Sequence, residues 1–336
     1  MTFILFYCTI VWNEFRPETK MKEKQNIFTH PLFITLAALL CCALWGSATP
    51  AIKTGSPLLI PQNHVPSTIL FAGIRFTAAG IITILIYSLA RRKFLIPKKE
   101  NVGKILTVST FQTVIQYIFF YVGLANTTGV KGTIASGSSA FFTVIIASLL
   151  FKFEKLTPKK IVACILGFAG IVIVNLNGLT FNMNFFGDGF VIISTVSYAL
   201  STMFMKKFSK YEDPVVISGY QFIAGGAFMC IVGLLFGGSI SFENTTGVII
   251  LVYLSFLSAV AYALWGVLLK YNSASRVSIF SFTTPVFGVI LSSIFLTEAS
   301  GVEPLNLIAT LILVSGGILM LNYQKPKADE LKIDQK

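Results

Sequence analysis

Arg75 is the only basic residue that lies well inside an apolar stretch of this sequence. If that stretch crosses a lipid bilayer, a charge near its centre costs roughly 2.5–3.5 kcal/mol on insertion scales, so the side chain needs a partner or a water-filled cavity. The guanidinium could bind the carboxylate of a small ligand. It could equally act as a structural clamp on backbone carbonyls or on a helix end, and the sequence leaves both roles open.

Amides, aromatic rings and hydroxyls recur at helical spacing inside other apolar stretches. These sets are Trp45 with Thr49, Gln112 with Gln116 and Tyr117, Tyr198 with Ser201, and Tyr262 with Trp265. Because unpaired amides are costly in lipid, such faces should point into the protein, where they line a cavity or bond neighbouring helices. The predicted ligand-binding residues are Trp45, Thr49, Arg75, Gln112, Gln116, Tyr117, Tyr198, Gln221 and Trp265. Trp45, Gln116 and Tyr117 are the leading candidates among them.

The acidic residues that could gate or couple a transport cycle lie at the ends of apolar stretches. Glu154 and Glu298 have such positions, and the alternative for both is a helix terminus that faces a loop. No Asp or Glu lies in the middle of a stretch, whereas proton relays in carriers usually need one. Facilitated transport, or coupling through Glu154, Glu298 or Asp188, therefore stays open.

Catalytic and metal-binding patterns are missing from the sequence. It has no Walker-type phosphate loop, no His-Glu-x-x-His and no Gly-x-Ser-x-Gly. The two histidines, His30 and His64, lie near the ends of apolar stretches, and the five cysteines form no Cys-x-x-Cys pair. We therefore predict no enzymatic activity, no metal site and no cofactor.

Composition places these side chains in an all-α polytopic membrane protein. Of 336 residues, 54% are hydrophobic and 12% are charged, against about 25% charged in soluble domains. A span needs about 20 apolar residues, and backbone groups in lipid must be paired within the element, which favours helices. Ten spans are predicted at 32–52, 66–90, 102–124, 130–151, 160–176, 187–205, 214–236, 247–269, 277–297 and 305–323.

The net charge of +12 follows from the topology of these spans. All but three of the 26 basic residues fall on one side of the predicted membrane, and the exceptions are Lys53, Lys131 and Arg75. Cytoplasmic loops carry an excess of Lys and Arg, so both termini are predicted to be cytoplasmic in the cell membrane. This distribution indicates no nucleic-acid partner.

Two terminal segments flank the spans, a cytoplasmic segment at 1–31 and a cytoplasmic tail at 324–336. The apolar run at 3–12 is too short to cross a bilayer, and its order of charges is wrong for a signal peptide. We interpret residues up to about 20 as the product of an early start codon, with Met21 as the usual start. A short interfacial anchor is the alternative.

The sequence repeats itself in two halves, 32–176 and 187–323. Glu154 matches Glu298 at an offset of 144 residues, together with three neighbours on each span, and the next pair of spans matches at 147. Five is an odd number, so the second half should insert upside down. The loop after Glu154 carries three lysines and the loop after Glu298 carries none, as inversion requires. Inverted repeats are a transporter architecture with a substrate site near the midplane.

Short motifs in this order resemble those of the EamA-type drug/metabolite transporters. They are Leu44-Trp45-Gly46-Ser47 with Pro50 and Lys53, Ile74-Arg75-Phe76 with Ala78 and Ala79, and the runs from Phe141 to Glu154 and from Pro285 to Glu298. The resemblance covers 32–323 and implies a 5+5 inverted-repeat carrier that often exports amino acids, other metabolites or drugs. One departure concerns Pro285, because the first half has Phe141 at the aligned place. A helix break shaped by that proline would then exist in one half only.

The predicted function is a secondary-active or facilitative transporter that exports small organic metabolites such as amino acids, or drugs, by alternating access. Its partners are a small-molecule substrate and the bilayer, while a proton or ion gradient and a homodimer stay open. The alternative is a non-transporting sensor or a channel, although a channel would usually show a charged ring or filter segment. Clusters of small residues at 136–139, 163–170 and 233–237 are interpreted as helix-packing faces.

Overall fold

The computed structural model describes residues 27–176, 182–295 and 304–322. These residues form ten long helical segments. They are α1 (Pro31–Gly55), α2 (Val65–Arg91), α3 (Lys99–Ala125), α4 (Gly129–Leu150), α5 (Pro158–Val174), α6 (Phe185–Phe208), α7 (Pro214–Leu235), α8 (Thr245–Tyr271), α9 (Ala274–Phe295) and α10 (Pro304–Asn322). Each overlaps one predicted span.

Nine of these helices are long and apolar enough to cross a membrane, counting only the described residues. The exception is α5, which has 17 residues. A multi-pass, all-helical membrane protein is therefore confirmed, whereas the predicted count of ten spans is not. The structure does not describe residues 1–26, 177–181, 296–303 and 323–336. The interpretation of the N-terminal run and the role of Glu298 therefore lie outside the described residues.

Local sequence fixes where the helices begin. A side-chain oxygen just before the first turn accepts a hydrogen bond from a backbone N–H of that turn, which would otherwise lack a partner. The capping residues are Thr128, Thr157, Asn184, Asp213, Asn244 and Ser273. Proline occupies the first turn of α1, α2, α5 and α7, where its missing N–H costs nothing. These residues therefore fix the first turns of the helices that carry them.

Hydrogen bonds between loops define two ends of the helix bundle. At the end we call the basic end, Asn272 donates to the carbonyl of Phe28 at 2.9 Å, and Asn101 donates to Glu212 at 3.0 Å. At the other end, which we call the opposite end, the N–H of Ser241 donates to the carbonyl of Leu59 at 2.8 Å. Successive loops alternate between the two ends. Lys53 and Lys131 are the basic residues of the opposite end, and those of the other described loops lie at the basic end.

Close helix contacts join the two halves of the chain. Between α2 and α7, a Cβ added to Gly80 would lie 2.5 Å from the carbonyl oxygen of Gly219, so no larger residue fits this crossing. Between α5 and α10, Thr310 donates to the carbonyl of Gly170 at 2.8 Å. In each pair a helix of the first half packs on the helix five places later. The small residues of α5 thus form a packing face, as expected.

Two helices that correspond between the halves are interrupted near the middle. In α4 the helix stops at Ser138 and resumes at Ser139, and in α9 a 3-10 turn over Ile279–Phe282 precedes the helix Thr283–Phe295. Both halves therefore have an interruption, although only the second half has a proline near it. In α4 the hydroxyl of Ser138 donates to the carbonyl of Ala135 at 2.5 Å, and such back-bonding bends a helix without proline.

Candidate functional site

A cavity of about 260 Å³ lies among seven helices, α1, α2, α3, α4, α6, α8 and α9. Six of the predicted ligand-binding residues line it, and so does Pro285. The six predicted residues are Trp45, Thr49, Arg75, Gln116, Tyr117 and Tyr198. Both halves of the chain contribute to the wall. Thr49 is exposed, so the cavity is open to the outside of the protein on its side.

Arg75 enters the cavity wall from α2 and is only 3% exposed. Its Nη2 and Nε donate to the hydroxyl oxygen of Ser258 on α8, at 2.9 and 3.2 Å. Ser258 in turn donates to the carbonyl of Leu254, which leaves its oxygen free to accept. The guanidinium carbon lies 5.2 Å from the ring centre of Phe76. The clamp that the sequence left open therefore exists, but it is made to a hydroxyl and leaves part of the guanidinium at the cavity.

Aromatic side chains form the opposing surfaces of the cavity. The hydroxyls of Tyr117 on α3 and Tyr262 on α8 lie 2.7 Å apart and share a hydrogen bond. Trp45 contacts Tyr262 edge to face, with ring centres 5.1 Å apart. On its other side Trp45 meets Trp265 at 5.0 Å. Such rings provide a rigid apolar surface with polar edges, which suits a small organic molecule better than a bare ion.

Several buried polar atoms at the cavity have no hydrogen-bond partner among the described residues. They are Nε1 of Trp45, Oε1 of Gln116 and Oγ1 of Thr284. Buried polar groups are almost always paired with protein, water or ligand. These three atoms therefore lie in or beside the wall with unused hydrogen-bonding capacity.

Three predicted binding residues lie outside the cavity. Gln221 is fully buried and accepts from the hydroxyl of Thr113 at 2.7 Å, so it joins α3 to α7. Trp265 lies beneath Trp45 and is 3% exposed. Gln112 is buried but is not part of the wall, although it shares a predicted helix face with Gln116. A π turn over Thr110–Ile115 contains Gln112 and changes the helical phase before Gln116.

Sequence reasoning overlooked most of the small polar residues of the wall. Ser136, Gly137 and Ser139 line the cavity at the interruption of α4, where we had expected only a packing face. Ser194, Thr195, Ser281 and Thr284 provide hydroxyls from α6 and α9, and Phe120 and Tyr121 extend the aromatic surface of α3. Phe120 and Tyr121 follow Tyr117 by three and four residues, which places them on the same helix face, so helical spacing could have indicated them. The serines carry no such signal, because hydroxyls commonly bond their own helix.

The basic end is closed below the cavity. Trp265, Cys42, Met203 and Phe280 belong to one buried cluster on that side, and each is at most 3% exposed. Farther out, Glu154 accepts from Lys160 Nζ at 2.6 Å and from the backbone N–H of Ser275 at 3.0 Å. The predicted gating residue Glu154 thus lies far from the cavity, as a bond between the α4–α5 loop and the start of α9.

Two opposing effects act on the Glu154 carboxyl. Burial raises its pKa, and the hydrogen bonds from Lys160 and Ser275 together with the charge of Lys160 lower it more. The net result is a pKa below the ordinary value for glutamate. The carboxylate therefore remains ionised at neutral pH, and the bonds it accepts remain in place.

At the opposite end the hydrogen bonds fall into two separate sets. In the first set, Ser239 bonds Ser67 at 2.9 Å, and Ser47 bonds Tyr253 at 2.7 Å. Together with the Ser241–Leu59 bond they join α1, α2, α7 and α8, which we call the large group. In the second set, Asp188 accepts from Thr127 and lies 3.7 Å from Lys131 Nζ. This set joins α3, α4 and α6, which we call the small group.

The cavity lies between these two groups. Among the described residues, no hydrogen bond or ion pair at the opposite end connects the large group to the small one. Bonds between the groups begin at the cavity, where Tyr121 bonds Arg75 and Tyr117 bonds Tyr262. Within the described residues, the arrangement is therefore a cleft toward the opposite end that is closed toward the basic end.

The sequence model of the EamA-like transporter family matches the chain twice, over residues 32–176 and 185–323. The uncharacterized transporter YvbV of Bacillus subtilis is 29% identical over 90% of this chain and 97% of that protein. An uncharacterized transporter of Archaeoglobus fulgidus is 27% identical over 77% of this chain and 88% of that protein. A WAT1-related chloroplastic protein of Arabidopsis thaliana is 25% identical over 80% of this chain, which spans 66% of that protein.

A solved crystal structure superposes on the chain with a TM-score of 0.69. It covers 85% of this chain and 95% of its own, at 18% sequence identity. At that identity the likeness concerns the fold.

Proposed function

Because the chain belongs to the EamA-like transporter family, we propose that it is an alternating-access carrier that exports small organic metabolites across the cell membrane. One observation carries this proposal: the cavity is lined by both segments that match the family, is open toward one end, and is closed toward the other. A solute held there would be enclosed between the two halves. Small polar metabolites such as amino acids are the favoured cargo.

The size of the cavity favours metabolites over drugs. Its volume of about 260 Å³ lies just below the ~300–1,000 Å³ that is typical of ligand pockets. A drug-sized molecule would need the cleft to widen. The hydroxyls, the amide and the aromatic rings of the wall suit a compact molecule with polar and apolar parts.

The two groups of helices suggest how access would alternate. The large and small groups would approach each other at the opposite end and cover the cavity from that side. The bonds of the basic end, Glu154 with Ser275 and Asn101 with Glu212, would then break and open the other side. Interruptions 144 residues apart in α4 and α9 support two related halves, inserted with opposite orientation, that could exchange these roles.

The charge distribution supports an orientation in the membrane. If the basic end is cytoplasmic, both termini are cytoplasmic and the cavity described here opens to the outside. Export would then load solute in the alternative state. In the described spans no Asp or Glu lies at the cavity, so coupling to protons would have to use the end residues Asp188 or Glu154.

Cysteine accessibility tests alternating access without knowledge of the cargo. In a chain whose five cysteines are replaced by alanine, Thr49→Cys lies at the cavity and Val277→Cys is fully buried toward the basic end. We expect a membrane-impermeant maleimide to label Thr49→Cys from the opposite end and Val277→Cys from the basic end. In a chain that carries both substitutions, labelling one site first should reduce the later labelling of the other. Lys53→Cys, which is exposed, should be labelled throughout and serves as the control.

Counterflow in proteoliposomes separates the remaining classes. A carrier gives saturable exchange of a labelled metabolite. Simultaneous access from both sides without saturation would identify a channel and overturn the proposal. Alternating labelling without any flux would instead identify a sensor.

A further inference from the structure

The charge of Arg75 has no opposite charge in its surroundings. Its hydrogen bonds go to the neutral hydroxyls of Ser258 and Tyr121, and no ion pair within the described residues includes it. The wall of the cavity contains no Asp or Glu. The acidic residues of the described segments all lie at the two ends of the bundle, as Glu100, Glu154, Asp188, Glu212, Asp213 and Glu243. The cavity is therefore a positively charged compartment.

We propose that the transported solute is an anion whose acidic group binds at Arg75, and that cations of the same shape are excluded. This inference rests on the proposed carrier function and narrows its cargo from amino acids, whose ammonium group would find no carboxylate in the wall, to organic acids with a net negative charge. A buried guanidinium without a counter-ion is costly, and an acidic group in the cavity would supply the missing charge. A carboxylate, a sulfonate or a phosphate monoester shares this chemistry.

Other groups of the wall agree with an anion. The indole N–H of Trp45 has no partner, and it can only donate. The helix Thr283–Phe295 begins at the cavity, and helix N-termini carry a partial positive charge. A cation would find aromatic faces, which attract positive charge. However, Arg75 already lies over Phe76, and its own charge would repel a second cation without any carboxylate to offset it.

An anionic cargo also supplies a driving force. An uncoupled anion that leaves a negatively charged cell interior moves down the electrical gradient, which is worth ~2.3 kcal/mol per charge at 100 mV. Export would then need no proton relay. The described spans place no carboxylate at the cavity, which agrees with export that needs no proton relay.

The test compares probes that share a shape and differ in charge. The probes are benzoate, benzamide and benzylamine, and hexanoate, hexanamide and hexylamine. Their binding to the purified full-length protein is measured as the shift in melting temperature with concentration. We expect at least one carboxylate to bind about tenfold more tightly than its matched amide and amine.

Variants assign the preference to one side chain. Arg75→Gln should bind carboxylate and amide equally, whereas Arg75→Lys should keep part of the preference. Lys53→Gln removes an exposed charge outside the cavity and should leave the preference unchanged, which controls for the general potential of that end.

The inference is overturned if an amine or amide binds as tightly as its carboxylate, if Arg75→Gln keeps the preference, or if no carboxylate in either series binds. The labelling of Thr49→Cys and Val277→Cys is independent of these outcomes. Alternating labelling without an anion preference would retain the carrier and reject the cargo class. An anion preference without alternating labelling would reject the carrier and leave an anion-binding membrane protein.

Discussion

The two ends of the bundle hold their helices together in different ways. At the basic end, bonds from the α6–α7 region reach both α3 and α8, and Glu154 adds a bond from α4 to α9. The large and small groups are therefore connected there. At the opposite end each group is bonded internally and, within the described residues, not to the other. The cavity opens toward the end that lacks cross-bonds.

This difference identifies which contacts must change in a transport cycle. Bonds within a group can persist in every state, whereas bonds between groups must form and break in turn. The Ser67–Ser239 bond belongs to the first class. The bond from Lys206 on α6 to the carbonyl of Leu269 on α8 belongs to the second, and the Glu154–Ser275 bond adds a connection from the small group to α9. Cross-linking or removing one bond of each class therefore tests directly whether the two ends differ in this way.

The largest effect is expected from locking the basic end. In the cysteine-free chain, a bifunctional thiol reagent that joins Glu154→Cys to Ser275→Cys should reduce counterflow nearly to background, because α4 of the small group can then no longer separate from α9 at the basic end. The matched pair Ser67→Cys and Ser239→Cys lies within the large group, and its cross-linking should leave counterflow nearly unchanged. Equal inhibition by both cross-links would contradict the division into groups.

Removing the charge of Glu154 should open the basic end. Glu154→Gln loses the ion pair with Lys160, whose partners are both largely buried, and leaves that lysine without an opposite charge. We expect the closed form to lose about 1–3 kcal/mol, which raises labelling of Val277→Cys about tenfold. Glu243→Gln alters an exposed carboxylate at the opposite end and is the control. Unchanged labelling would show that the Glu154 bond does not hold the closed form.

Acid should loosen the same end in a graded way. The pKa of Glu154 is lowered in the closed form, so its stabilising effect is fully present above the ordinary glutamate pKa and is lost as the pH falls through the lower value. Labelling of Val277→Cys should therefore be flat near neutral pH and rise in acid. The rise should be absent in Glu154→Gln. An equal rise in that variant would assign the effect to another group.

The smallest effect is expected at the bond between the cavity rings. Tyr117→Phe removes one hydrogen bond between the groups, worth about 0.5–1.5 kcal/mol. We expect a change of severalfold in the labelling of Thr49→Cys. Tyr262→Phe should have the same effect, and the double variant should add little, because both remove one bond. Additive effects would mean that the two hydroxyls act separately.

The sequence predicted the positions of the helices well and the orientation of their faces only in part. Apolar length placed all ten helical segments, because this signal is local. Gln112 and Gln116 were assigned to one face, and the π turn between them separates their environments. Such a turn depends on packing against α6 and α7, for example the bond from Ser109 to the carbonyl of Gln221, which sequence spacing does not reveal.

The polar residues of the cavity divide in the same way. Arg75 and Trp45 were predictable because a charge or an indole within an apolar span needs a polar environment. Ser136 and Ser139 were not, because a serine can satisfy itself on its own helix. Only the interruption of α4, a tertiary feature, turns that segment toward the cavity.

The short helix α5 makes this protein sensitive to the thickness of its membrane. Seventeen residues rise about 26 Å, which is less than the ~30 Å hydrocarbon core of a typical bilayer. Ile161 and Ile165 on α5 are exposed and would face lipid tails. Each ångström of hydrophobic mismatch costs a fraction of a kcal/mol. Acyl chains of increasing length should therefore strain the side of the bundle formed by α5 and α10, and exchange should be fastest in thin bilayers.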